Sequence, residues 1–365
     1  MEHSIVLDQY AEHVRETPAA VSGARRIATW LLFLCILSSI LILWGGVVRL
    51  SGSGLSIPDW PIINGSLLPP FSDSGWQTVY ETYSHEVSAS GGQYNVGSLS
   101  LDTFKTMFAI EYFHRFLAAL VVIVFLTILI RAIRTRDAWP RTKRLLITAT
   151  VVLFVQAGLG GIVVKTDLQA AMVAAHLGTA FVFLGLLLWA TLRLSRDDVS
   201  ALTERKRLRR VAWMTTGTAY LQILFGGLMA GTGAGLILNT WPSMGGYLVP
   251  PGHLLWANWF EPGILNIVQN QVFIQFVHRW LAWIVVAHVI ALILRGTKVH
   301  LSVRGRIALR AAATILALQM LLGIGTLMMK APFAMSLAHL ATGLALFVSL
   351  LIITHEAAYS PATSE

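Results

Sequence analysis

Eight stretches of about 20 apolar residues, at roughly 27–48, 107–130, 145–164, 171–192, 211–230, 272–294, 307–329 and 334–354, restrict this chain more than any other feature. A bilayer core is spanned by about 20 apolar residues in helical form, and inside it every backbone polar group must be satisfied by a helix or a closed barrel. No alternating ten-residue pattern points to a barrel. The expected fold is all-α, a polytopic membrane protein with eight transmembrane helices. The composition agrees, since 55% of the 365 residues are hydrophobic and only 12% are charged, too apolar for a soluble domain of this size.

The net charge of +9 reads as a topology signal rather than as a nucleic-acid footprint. Twenty-one of the 27 Lys and Arg residues fall in the N-terminal tail and in 131–144, 193–210 and 295–310. By the positive-inside rule these connections and both termini face the cytoplasm. The opposite side then carries the loops 49–106 and 231–271 and two short turns near Lys165 and Lys330. Glu2, Asp8, Glu12 and Glu16 rule out an acid-poor transit peptide, and no cleavable signal precedes the first span. A bacterial inner membrane fits this pattern. Cys35 is the sole cysteine, which excludes an internal disulfide and argues against a Cys-based metal site.

The two halves repeat one another. Glu111-Tyr112-Phe113-His114-Arg115-Phe116-Leu117-Ala118 returns as Gln275-Phe276-Val277-His278-Arg279-Trp280-Leu281-Ala282, 164 residues later. Gly45-Gly46 aligns with Gly226-Gly227, Trp60-Pro61 with Trp241-Pro242, and Pro69-Pro70 with Pro250-Pro251, all at an offset of 181. Gln156 pairs with Gln319 and His176 with His339 at an offset of 163. Four spans separate each residue from its copy, so the units enter the membrane in the same orientation, as tandem four-helix bundles related by a pseudo-twofold axis along the membrane normal. The expected divisions are a cytoplasmic tail (1–26), a first unit (27–193), a basic linker (194–210), a second unit (211–355) and a cytoplasmic C-terminal tail (356–365).

This frame brings His114 and His176 to one depth in the first unit, and His278 and His339 to the same depth in the second. Two facing imidazoles in a helical bundle, with no thiolate or carboxylate partner, suit axial ligation of a heme iron. Zinc is a poor rival, because a structural site needs four ligands and a catalytic site usually three. Gly158, Gly160, Gly161, Gly178, Gly323, Gly325 and Gly343 would leave room for a flat macrocycle or serve ordinary helix packing. Arg115 and Arg279 would pair with heme propionates or reach for the interface. His85, His253, His288 and His300 have no copies and are assigned no iron.

The halves differ one turn before the first histidine of each pair, where Glu111 faces Gln275. An i,i+3 spacing puts Glu111 on the side of the helix that carries His114. A carboxylate there can accept protons or polarise a water near an oxidised carbon, or simply pair with a neighbouring arginine. The first outer loop is 17 residues longer than the second; it holds Arg49 and Asp59, an aromatic stretch at about 76–106 that could include a short helix on the membrane, and a candidate lid.

Gly46-Val47-Val48-Arg49-Leu50-Ser51-Gly52-Ser53-Gly54-Leu55-Ser56, Pro58-Asp59-Trp60-Pro61, the Glu111-x-x-His114-Arg115 block, Ala175-His176-Leu177, His278-Arg279 and Ala338-His339-Leu340 together resemble the heme A synthase family. The likeness covers nearly all eight spans. It implies oxidation of the C8 methyl of heme O to the formyl group of heme A, for use by cytochrome c oxidase. It further implies that His114 and His176 hold the substrate heme O iron beside a catalytic Glu111, while His278 and His339 hold a permanent heme b. The oxidation would pass through an alcohol and a hydrated aldehyde that loses water. Many bacterial members carry paired loop cysteines where this chain has Ile57, Ile63, Leu238 and Met244, so no mechanism through a loop thiol operates here. The implied partners are the bilayer, heme O synthase as substrate donor, a membrane electron donor such as a quinol, the cytochrome c oxidase assembly machinery and a second copy of the chain, with no nucleic acid. Two rival functions share the same pattern, a non-enzymatic di-heme cytochrome and a heme transporter or chaperone.

Overall fold

The apolar runs fold as helices whose ends are set by capping groups and breakers. In a computed structural model, which describes residues 18–60, 62, 66, 68–89, 99–195, 200–201, 206–299 and 301–360, eight helices have 25 residues or more. They are α1 (Pro18–Leu50), α3 (Leu101–Arg134), α4 (Trp139–Lys165), α5 (Ala170–Leu194), α6 (Lys206–Thr232), α9 (Gln271–Gly296), α10 (Val303–Met328) and α11 (Phe333–Ala358). Three shorter helices lie in the loops: α2 (Asp73–Ala89), α7 (Gly252–Leu255) and α8 (Asn266–Gln269). The described strands are the two-residue pair β1 (Ser200–Ala201) and β2 (Tyr359–Ser360). Residues 1–17 and 361–365 of the tails, 196–199 and 202–205 of the linker, and Pro61, Ile63 and His300 lie outside the described residues.

Seven of the long helices are long and apolar enough to cross a membrane. The exception is α6, expected from the sequence as the fifth span. Its first turn carries Lys206, Arg207, Arg209 and Arg210, and its body carries Thr215, Thr216, Thr218, Tyr220 and Gln222, which together dilute its apolar character.

Caps fix where the histidine helices begin. Ser100 accepts the Thr103 N–H at the start of α3, and Asn270 accepts the N–H groups of Val272 and Phe273 at the start of α9. Each such cap contributes on the order of 1 kcal/mol. The short outer turns after α4 and α10 are copies in detail. Asp167 and Leu168 (φ 51° and 59°) and Lys330 and Ala331 (φ 58° and 55°) occupy the left-handed region at equivalent places. In both turns the same carbonyl takes the N–H of the residue five further on, Val163 that of Leu168 and Thr326 that of Ala331.

Packing repeats as well. Helix α1 packs on α3 and α5, and α4 on α5; α6 packs likewise on α9 and α11, and α10 on α11. Cys35 meets Thr191 (Sγ to Oγ1, 3.9 Å) between α1 and α5, and Thr216 meets Thr354 (2.8 Å) at the matching level between α6 and α11. The halves join through α1, α5, α6 and α11. A Cβ on Gly46 would strike Leu340 of the other half, and one on Gly227 would come within 3.3 Å of Leu177. Phe181 and Phe347 meet edge to face across the same seam at 5.2 Å. Arg49, at the end of α1, donates to the Ala230 carbonyl at 2.7 Å, and Ala230 is its own counterpart in the second half.

Helix α2 is the short helix expected in the first outer loop. Its Val79 and Tyr83 pack with Ile57, Phe104 and Phe108 in a small buried cluster, so it leans on the first turns of α3.

Candidate heme-binding sites

Each of the four histidines projects over a glycine on a neighbouring helix. A Cβ built on Gly45 of α1 would lie 3.2 Å from His114 Nε2, and one on Gly160 of α4 would lie 3.3 Å from His176 Cε1. In the second half the matching distances are 3.4 Å from Gly226 to His278 Cε1 and 2.9 Å from Gly323 to His339 Cε1. All four rings are half-buried. Each expected pair thus has its two rings seated on glycines of equivalent helices, His114 and His278 on Gly45 and Gly226, His176 and His339 on Gly160 and Gly323.

Three of the rings have an amide partner one turn along the glycine helix. Gln156 Nε2 lies 3.3 Å from His176 Nε2, and Gln319 Nε2 lies 3.4 Å from His339 Nε2. Gln222 Nε2 lies 3.2 and 3.3 Å from the two ring nitrogens of His278 and also donates to the His278 carbonyl at 3.0 Å. Thr342 donates to Gln319 Oε1 and to the Ala338 carbonyl. An acceptor for one ring N–H fixes the tautomer and leaves the other nitrogen for a metal, and each of these amides offers that acceptor when its Oε1 rather than its Nε2 faces the ring. The buried Nδ1 atoms of His176 and His339 have no protein partner. Pairs of neutral imidazoles with a bare glycine under each ring fit an axially ligated heme. Among the described residues no group of three or more His, Cys, Asp or Glu side chains converges as a metal cluster.

The charged residues beside the histidines serve the outer loops. The buried Glu111 accepts from Ser56 Oγ at 2.8 Å, from the Ile57 N–H at 3.1 Å and from Arg115 Nη2 at 2.8 Å. Arg115 also donates to the carbonyls of Ile57 and Asp59, each at 2.5 Å. Arg279 makes the same two bonds in the second half, to Leu238 at 2.8 Å and Thr240 at 2.9 Å, with a third to Ser243. Gln275 inverts the role of Glu111. Where the acid accepts from loop donors, the amide donates to the carbonyls of Ala234 and Ile237 at 2.9 and 2.7 Å. Both arginines, named above as candidate propionate contacts, therefore have backbone partners in their own loops.

A family model described as "Cytochrome oxidase assembly protein" matches residues 28–351, which include every residue of both sites. The chain belongs to this family. Curated relatives cover nearly the whole chain. A heme A synthase of Nitrosomonas eutropha is 34% identical over 89% of this chain and 92% of its own length. One of Paramagnetospirillum magneticum is 35% identical over 92% and 95%, and one of Paracoccus denitrificans 33% over 95% and 92%.

In this member of the cytochrome oxidase assembly family, the sequence reading missed Gln222 and the paired loop carbonyls. Gln156 and Gln319 stand out because each copies the other. Gln222 aligns with Leu41 and so drops out of a comparison that seeks matches. A search for differences at matched positions would have found it. His85 and His253 are exposed in the outer loops, and His288 bonds Thr218 through Nδ1 at 3.0 Å within the second half.

Proposed function

We propose that this chain is a heme A synthase, an oxidoreductase that converts the C8 methyl of heme O to the formyl of heme A for cytochrome c oxidase. The observation that carries this reading is one ionisable difference inside a repeated frame, with Glu111 where the second half has Gln275. Its curated relatives bear the name heme A synthase.

In this reading α6 is the fifth of eight spans, and the chain is two tandem four-helix units about a pseudo-twofold axis. The equivalent turns, the equivalent Cys35–Thr191 and Thr216–Thr354 contacts and the equivalent arginine bonds favour that arrangement. The protein resides in a bacterial cell membrane with its termini cytoplasmic and both sites toward the outer face. His278 and His339 would hold heme b, and His114 and His176 the iron of the substrate. Heme b, when bound, supplies one-electron redox chemistry. The conversion removes four electrons in two steps, first giving an alcohol and then a hydrated aldehyde that loses water. Written with water as the oxygen source, each step adds the oxygen of one water to the methyl carbon and releases two protons and two electrons, which pass to an oxidised membrane carrier such as a quinone.

Glu111 is the proton-handling group. If its Oε2 takes a proton, the Ser56 hydroxyl can receive that hydrogen bond and turn its own O–H to the Ser53 carbonyl, which it already meets at 2.8 Å. Arg115 keeps the other oxygen in place. Gln275 cannot exchange a proton in this way, which leaves the second site to binding.

The test is the extracted heme content of membranes from a host that makes heme O but no heme A. Heme A should appear with this chain, and Glu111→Gln should leave heme O accumulating while heme b stays bound. Heme B alone on folded protein, with heme O unchanged under a working electron supply, would favour a di-heme cytochrome or a heme carrier.

A further inference from the structure

The four imidazoles are not held alike. Three glycine helices carry glutamine four residues before the glycine: Gln156 before Gly160, Gln222 before Gly226 and Gln319 before Gly323. Each of these amides lies within 3.4 Å of the imidazole above it. The fourth helix has Leu41 before Gly45. Leu41 packs into the apolar core of the first half, so the His114 ring rests on glycine without an amide.

The chemistry of ligation gives this difference a consequence. An imidazole that offers one nitrogen to iron carries its proton on the other, and an acceptor for that N–H both orients the ring and strengthens the ligand. An amide can serve by a half-turn that exchanges its oxygen and nitrogen. The Oε1 atoms of Gln156 and Gln222 are buried without partners; Gln156 can turn its Oε1 to the His176 N–H, and Gln222 can do the same for His278 in exchange for its bond to the His278 carbonyl. Beside Gln319, the Thr342 hydroxyl can donate or accept, so it can support either amide orientation. The apolar Leu41 side chain can do neither.

Building on the heme A synthase reading, we propose that Gln156, Gln222 and Gln319 are positioning residues that make His176, His278 and His339 firm ligands, and that Leu41 makes His114 the releasing ligand. The substrate site is thereby built to exchange its heme from the His114 side, while the second site, with both rings held, retains its heme. Substrate binding and product release require such a weak point, and a permanent cofactor requires its absence.

The experiment uses the purified full-length chain loaded with heme B and heme O. It follows transfer of each heme to excess apomyoglobin, with the low-spin electron paramagnetic resonance signal recorded before transfer. In the wild type the first-site heme should leave faster. Leu41→Gln should slow that release roughly tenfold, the scale of one net hydrogen bond, and leave second-site release unchanged. Leu41→Met, of similar volume and no amide function, should release at the wild-type rate. Gln222→Leu should speed loss of second-site heme roughly tenfold and alter its low-spin signal. Equal release rates for Leu41→Gln and the wild type, on protein that holds both hemes, would overturn the inference while leaving the function intact. So would an unchanged second-site rate in Gln222→Leu. Failure of folded wild-type protein to hold heme at either histidine pair would instead overturn the functional reading and this inference with it.

Discussion

Gly323 makes the tightest of the four glycine–histidine approaches, and replacing it with alanine isolates the relation between helix packing and ligand geometry. The added Cβ would lie 2.9 Å from His339 Cε1, 3.5 Å from Nδ1 and 3.6 Å from Nε2. Carbon atoms rest best at about 3.5–4.0 Å, so the ring must retreat by roughly 0.6–1 Å or turn about its bonds. Forcing an added methyl group into a packed site costs about 1–3 kcal/mol. Against this stands the gain of about 1 kcal/mol when a helical glycine becomes alanine. Gly158 is the control, since a Cβ there has nothing within 4 Å and only the gain applies. Gly323→Ala should lower bound heme b or broaden its low-spin signal, and should weaken the amide contact from Gln319. Gly158→Ala should retain its heme with equal or higher thermal stability. The assays are heme content by pyridine hemochrome, electron paramagnetic resonance and thermal unfolding of purified protein. Full heme b with a wild-type signal in Gly323→Ala would refute the claim that this glycine sets the His339 ring.

Three further substitutions probe the frame around the sites. Arg115→Leu removes the counter-charge of buried Glu111 and two loop anchors; breaking a buried pair costs about 3–5 kcal/mol, and limited proteolysis should find the 53–59 loop cut faster. Gln275→Glu would set a carboxylate against the carbonyls of Ala234 and Ile237 in place of two donated hydrogen bonds, so thermal unfolding should fall by about 2 kcal/mol or more; unchanged stability would contradict the assigned role. Asn270→Ala deletes the cap of α9 and the side-chain bonds to Leu254 and Leu255, for a loss of about 1–2 kcal/mol, visible as lower His278-dependent heme retention.

Much of this architecture was legible because membrane helices announce themselves as apolar runs, and because a duplicated chain supplies its own comparison. The four histidines emerged from matched spacing, and each lies against a glycine of a neighbouring helix. Helix α6 shows where hydropathy is a blunt guide: its threonines, tyrosine and glutamine pack against α5, α9 and α11, and Thr216 is satisfied by Thr354. The arginine partners were not readable, because the acceptors are backbone carbonyls at Ile57, Asp59, Leu238 and Thr240, and any residue type presents a carbonyl. Glu111 was marked by its difference from Gln275, but its hold on the loop through Ser56 and Ile57 depends on a chain reversal at Gly52 (φ 70°) that composition only hints at.

The seam between the halves has a bearing on how such a chain could be taken apart. Gly46 against Leu340 and Gly227 against Leu177 are the same contact made twice with the partners exchanged, which is the form of a two-fold homodimer interface. Each half stands where a second copy of the other would stand. The halves expressed as separate polypeptides, divided between 196 and 205, should therefore find one another in the membrane and restore both heme pairs. Covalent linkage through 194–210 ensures that every molecule pairs one half bearing an acid, Glu111, with one bearing an amide, Gln275.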